Sequence, residues 1–143
     1  MTLTMEAIEA SKELEIYSKP ENISLVEQLV DEVCEQNHVN EDYYGNILIA
    51  ITEAVNNAII HGNKNNPEKK IKIHVESEEP NLKFQISDEG PGFDFDNLPD
   101  PTDPENLDKP NGRGVFLMRH LADEVEFFEK GQTVELSFNI SAN

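Results

Sequence analysis

Apolar and polar residues alternate over residues 13–18, Glu-Leu-Glu-Ile-Tyr-Ser, which predicts a half-buried strand. Pro20 and Glu21 then open a helix. In it Ile23, Val26, Leu29, Val30 and Val33 recur at three and four residues, a single core-facing stripe that ends near Asn37. Asn40 is placed to cap a second helix, with Glu41 and Asp42 in a first turn where the helix dipole favours acids. That helix is expected to run to about His61 and to stop at Gly62-Asn63. Ile47, Leu48, Ile49, Ala50, Ile51, Ala54, Val55, Ala58, Ile59 and Ile60 make it apolar over much of its circumference, so it is expected to be largely buried. After a polar loop at 64–68, Ile71, Ile73 and Val75 alternate with polar residues, as do Leu82, Phe84 and Ile86, which predicts a hairpin. A turn at 88–92 leads into a Pro- and Asp-rich stretch reaching Asn111, of the kind that forms lids or binding loops. A short helix is expected over 115–121, then strands near 125–128 and 134–140 around a turn at Lys130-Gly131.

The order is β, α, α, β, β, loop, α, β, β. Tight connections make the paired strands antiparallel, and helices on one face of such a sheet give a two-layer α/β sandwich of the α+β class. No repeat or domain boundary interrupts residues 1–143, so a single domain is expected.

Charge narrows the functions open to this fold. Eleven Lys plus Arg stand against 29 Asp plus Glu, a formal net charge of -18. Such a surface repels nucleic acid and anionic lipid, so neither is expected as a partner. It attracts a basic protein, or it serves only to keep the chain soluble. Cys34, the single cysteine, falls on the apolar stripe and is expected to be a buried side chain rather than a nucleophile. Residues 1–11 lack the basic start and apolar run of a signal peptide, and no apolar run approaches the ~20 residues of a membrane span. A cytoplasmic protein is expected.

Three short patterns carry candidate chemistry. Glu53, Asn57 and His61 are spaced four apart on the second helix and share roughly one stripe of it. A buried amide and carboxylate need partners. These are either backbone groups or a hard cation such as Mg²⁺, for which Asn57 offers a neutral oxygen while Glu53 acts on a nucleophile. At 88–92, Asp-Glu-Gly-Pro-Gly follows a strand directly. It is either a tight turn or a place where Asp88 accepts from an exocyclic amine while Gly90 and Gly92 let backbone approach a flat ligand. Asn111-Gly112-Arg113-Gly114 precedes a helix, where free amides and the dipole favour an anion and Arg113 adds a cation. Base, metal and phosphate subsites of a nucleoside triphosphate are the sum of the three.

In this order the patterns resemble those of the GHKL, or histidine-kinase-like, ATPase superfamily. Residues 53–63, Glu-Ala-Val-Asn-Asn-Ala-Ile-Ile-His-Gly-Asn, are similar to its N-box, residues 88–93 to its G1 box and residues 112–118 to its G2 box. Gly131-Gln-Thr133 is similar to its terminal Gly-Thr element. The resemblance implies the Bergerat ATP-binding fold, with ATP and Mg²⁺ as cofactors. It implies Glu53 as general base, Asn57 as Mg²⁺ ligand, Asp88 as receiver of the adenine amine and Thr133 beside it through water. It further implies Gly90 and Gly92 as the nucleotide wall, Gly112 and Gly114 as amide donors to phosphate, and an ATP lid over about 94–111.

Within the superfamily, residues 112–125 are most similar to the anti-sigma factor serine/threonine kinases. That subgroup implies transfer of phosphate from ATP to a serine of a small STAS-like anti-anti-sigma protein, a sigma factor as a second partner, and a homodimer. The contrasting reading is an ATP-sensing interaction module without kinase activity; the presence of Glu53 argues against it, because a sensor needs no base.

Overall fold

The alternating segments form five strands, β1 (Ser11–Tyr17), β2 (Lys70–Glu78), β3 (Asn81–Ser87), β4 (Glu124–Phe128) and β5 (Thr133–Asn139). The computed structural model describes residues 11–78, 80–91, 110–128 and 132–140, and of residues 110–113 the backbone alone. The strands make one sheet in the order β1-β2-β3-β5-β4, with every neighbouring pair antiparallel. Period-two alternation sorts its faces. Ile71, Ile73, Val75, Leu82, Phe84, Ile86, Val134, Leu136 and Phe138 are all buried on one face. Residues paired across the other include Glu13 with His74, and Glu76 with Lys83.

Three α-helices among the described residues, α1 (Ile23–Gln36), α2 (Glu41–Asn57) and α3 (Pro110–Leu121), contribute to the same core as the apolar sheet face. This is the expected two-layer α+β architecture. Phe84 and Phe138 meet edge-to-face at 6.0 Å in that core, and burial of each such side chain contributes roughly 1.5–3 kcal/mol. Asn40 caps α2 as expected, its side chain accepting from the Tyr43 N–H at 3.1 Å.

Cys34 is buried, as its place on the stripe of α1 implies. Burial first, and then the neighbouring Asp31, push its thiol up to about 11. At pH 8 only about a thousandth of it is thiolate, the reactive form. Iodoacetamide is therefore expected to leave native protein unmodified and to add one adduct in denaturant, as read by intact mass.

Three boundaries and one burial expectation differ from the structure, each for a local reason. A 3₁₀ turn over Pro20–Asn22 precedes α1, since Pro fixes the entry φ. The second helix is α-helical only to Asn57 and continues as a π turn over Ala58–Gly62. α3 begins at Pro110 rather than near 115, because Pro is pre-organised for the first helical position. The Gly112-Arg113-Gly114 segment is thus inside the helix rather than ahead of it. Finally, Ile49 and Ile60 of the second helical segment remain 47% and 44% exposed. One sheet face can cover only one side of a helix, and these two lie away from it. Of the expected lid, residues 94–109 lie outside the described residues, as does the turn at Lys130-Gly131.

Candidate functional site

The end of α2, the end of β3, the start of β5 and the start of α3 converge. Ser87 pairs with Thr133 across β3 and β5, and their hydroxyls are 3.0 Å apart. That pairing puts Asp88 against the beginning of β5, where its N–H donates to the Gln132 carbonyl at 3.0 Å. α3 packs on α2 so closely that a Cβ at Gly114 would stand 2.5 Å from Asn57 Nδ2 and 2.8 Å from Oδ1. A Cβ at Gly62 would overlap the Asp88 carboxylate, and one at Gly90 would overlap the Gly62 carbonyl. Asn57, Asp88, Gly90, Gly114 and Thr133 are therefore brought to one end of the molecule, with Glu53 one helical turn before Asn57. Gly112 and Arg113 lie in the opening of α3, and Gly92 lies outside the described residues.

The π turn makes this meeting possible. Its wider i→i+5 closure, seen in the Asn63 N–H donating to the Ala58 carbonyl at 2.8 Å, brings Gly62 under Asp88. Such turns recur at functional sites.

Two polar groups in the site have unused capacity. Asp88 Oδ1 accepts from the Gly90 N–H at 2.8 Å, while its Oδ2 accepts no hydrogen bond among the described residues. The half-buried Asn57 amide likewise has no hydrogen-bond partner among them. A carboxylate oxygen free for an amine, and an amide oxygen free for a hard cation beside the N-terminal turns of a helix, fit a Mg²⁺-bound nucleotide. His61 sits within the π turn, and burial holds its imidazole below the ordinary value. It is therefore mainly neutral at pH 7 and supplies no charge to a phosphate.

Burial pushes the Asp88 carboxyl above the usual range, against the smaller opposing pulls of the Gly90 N–H and Lys69. A folded-state value raised this way means stability that is present below the unfolded carboxylate value and lost as pH rises through the folded one. At neutral pH the charge is thus a burden on the fold. Asp88→Asn, which keeps the Oδ1 acceptor, is expected to raise the melting temperature at pH 7 and to weaken nucleotide binding. The gain should shrink as pH falls through the carboxylate range, as thermal melts at several pH values will show.

Asn63 and Gln132 join the site although nothing in the sequence assigns either of them a role there. Asn63 is 1% exposed, yet in the chain it is one of several asparagines in a polar loop. Gln132 lies within the Gly131-Gln-Thr133 element, but nothing there gives it a role. A cleft of about 200 Å³ opens at the other ends of α2 and α3, between Tyr43, Asn46, Leu121 and Asp123, and none of the site residues lines it.

No helix among the described residues is long and apolar enough to cross a membrane. A family model described as Histidine kinase-like ATPase domain matches residues 16–138. Serine-protein kinase RsbW of Staphylococcus aureus, in strains JH9 and Newman, is 32% identical over 141 residues, covering 93% of this chain and 89% of theirs. Among solved structures, the RsbU and RsbW domains of Rv1364c from Mycobacterium tuberculosis superpose with a TM-score of 0.62 at 13% identity. That match covers 91% of this chain and 32% of the other, so the chain spans about a third of that protein, and the likeness concerns the fold.

Proposed function

Since the chain belongs to the histidine kinase-like ATPase family, we propose that it is an ATP-dependent protein serine/threonine kinase of the anti-sigma type, acting on a small STAS-like anti-anti-sigma protein. The observation that carries this reading is the packing of Gly114 onto Asn57. It sets the opening of α3 against Asn57, and Glu53 stands one helical turn before Asn57. A phosphate chain held at the opening of α3 would lie against the stretch of α2 that carries the Glu53 carboxylate.

ATP·Mg²⁺ supplies the phosphoryl group and part of the charge neutralisation. The chain supplies the rest. Asp88 Oδ2 accepts from the adenine amine, with Thr133 beside it. Gly90 and Gly92 leave room for the flat base. Asn57 Oδ1 would be the protein ligand for Mg²⁺; Gly112, in the first turn of α3, would donate its amide to the phosphates and Arg113 would add a cation, while Gly114, deeper in the helix, lets α3 approach Asn57. Glu53 would accept the proton of the partner's serine hydroxyl as its oxygen bonds to the γ-phosphorus and the bond from that phosphorus to the ADP oxygen breaks, ADP leaving. A sigma factor as a second partner, a homodimer and a cytoplasmic location belong to the same reading. The net charge of -18 suits a partner with a basic contact face.

Isothermal titration with Mg-ATP tests the nucleotide part. Saturable one-site binding is expected for the wild type, strongly weakened in Asp88→Asn; no detectable binding to the wild type would remove ATP from the account.

A further inference from the structure

The turn that presents Asp88 is held from two sides by Asn63 and Gln132, residues to which the family resemblance assigns no role. On one side stands Asn63, buried behind the π turn. Its Nδ2 donates to Ser18 Oγ at 2.6 Å and to the Lys70 carbonyl at 3.0 Å. Its Oδ1 accepts from the Glu89 N–H at 2.7 Å. On the other side stands Gln132, whose carbonyl takes the Asp88 N–H and whose side chain donates to the Gly90 carbonyl. Glu89 adds a third tie, its Oε2 accepting from the Lys70 N–H at 2.5 Å. The N–H groups of residues 88 and 89 and the Gly90 carbonyl are thus fixed by groups outside the turn, while the Gly90 N–H holds Asp88 Oδ1. Oδ2 remains, lying against Gly62, where a Cβ would displace it.

We infer that Asn63 and Gln132 are positioning residues for base selectivity: they clamp the 88–90 turn so that the free oxygen of Asp88 meets the exocyclic amine of the base. The inference rests on the reading of Asp88 as acceptor for that amine. Selectivity from one hydrogen bond depends on position, because a misplaced acceptor gains nothing from the correct base and loses nothing to a wrong one. A clamp that acts through Asp88 therefore affects only ligands that carry the amine. A residue that merely supports the fold affects all nucleotides alike.

The experiment measures the affinity of ATP and of purine riboside triphosphate, which lacks the amine, for the wild type and for Asn63→Ala, Asn63→Asp and Gln132→Leu. Loss of one well-placed hydrogen bond corresponds to about tenfold. The wild type should prefer ATP by about that factor. Asn63→Ala and Gln132→Leu should lose most of the preference by binding ATP more weakly, with the analogue unchanged within about twofold. Asn63→Asp keeps the acceptor for the Glu89 N–H and should retain the preference. Gln132 is half-exposed, so Gln132→Leu carries the test if Asn63→Ala does not fold. Equal weakening of both nucleotides, or an undiminished preference in the variants, would overturn the clamp. A wild type with no preference would overturn the underlying reading of Asp88, a result distinct from either.

Discussion

Glu53→Gln is expected to slow phosphate transfer to the partner's serine by about 10²–10⁴-fold, the usual contribution of a positioned general base, while Mg-ATP binds as in the wild type. The separation follows from where the residue stands. Glu53 is one helical turn before Asn57, and residues four apart on a helix are side-chain neighbours. Asn57 is the one in contact with Gly114. Nucleotide contacts assigned to Asp88, Asn57 and the opening of α3 do not involve the Glu53 carboxylate. Gln keeps its size and loses its basicity. Single-turnover transfer alongside calorimetric titration measures both terms. Equal transfer rates would remove the proton-acceptor role, and a parallel loss of affinity would make Glu53 a binding residue instead.

The second large effect concerns the glycines, through the same substitution at two places. Gly90→Ala puts a Cβ onto the Gly62 carbonyl. Both partners are backbone, so neither can swing aside, and the 88–90 turn must separate from the π turn. Overpacking costs typically 1–3 kcal/mol, and here the displaced segments carry Asp88. Gly90→Ala should lower the unfolding midpoint and lose most ATP affinity. Gly45→Ala has nothing within 4 Å of its new Cβ and lies inside α2. Replacing a helical Gly there should stabilise the fold by about 0.5–1 kcal/mol and leave ATP affinity unchanged. Denaturant melts and titrations on both variants test the pair of opposite signs. A Gly90→Ala protein as stable and as ATP-competent as wild type would contradict the close packing.

What could be read along the chain was periodic. Alternation at 71–75 and 82–86 located β2 and β3 because one sheet face is buried and the other wet. The spacing of Ile23, Val26, Leu29, Val30 and Val33 located α1 for the same reason. Asp88, Gly90 and Gly114 stood out because residue types that permit close backbone approach came in a recognisable order. What was not legible depends on tertiary contact. The shift from α to π at Ala58 changes no residue pattern; it answers to the fit of Gly62 beneath Asp88. Asn63 is indistinguishable in type from Asn65 and Asn66, and only the three partners of its side chain, two of them far away along the chain, separate it. Apolar residues over much of the second helical segment imply that it is largely buried, but Ile49 of α2 and Ile60 of the π turn that continues it stay half in solvent.

The most direct test of the kinase reading is phosphosite mapping on a protein captured by this chain. The tagged chain, with Mg-ATP, is used to recover its partner from the source cells, and the recovered complex is incubated with γ-labelled ATP. The account predicts one phosphoserine on a small captured protein, present with the wild type and absent with Glu53→Gln. ATP-dependent capture with no label on any captured protein would contradict it, leaving an ATP-sensing binding module in its place.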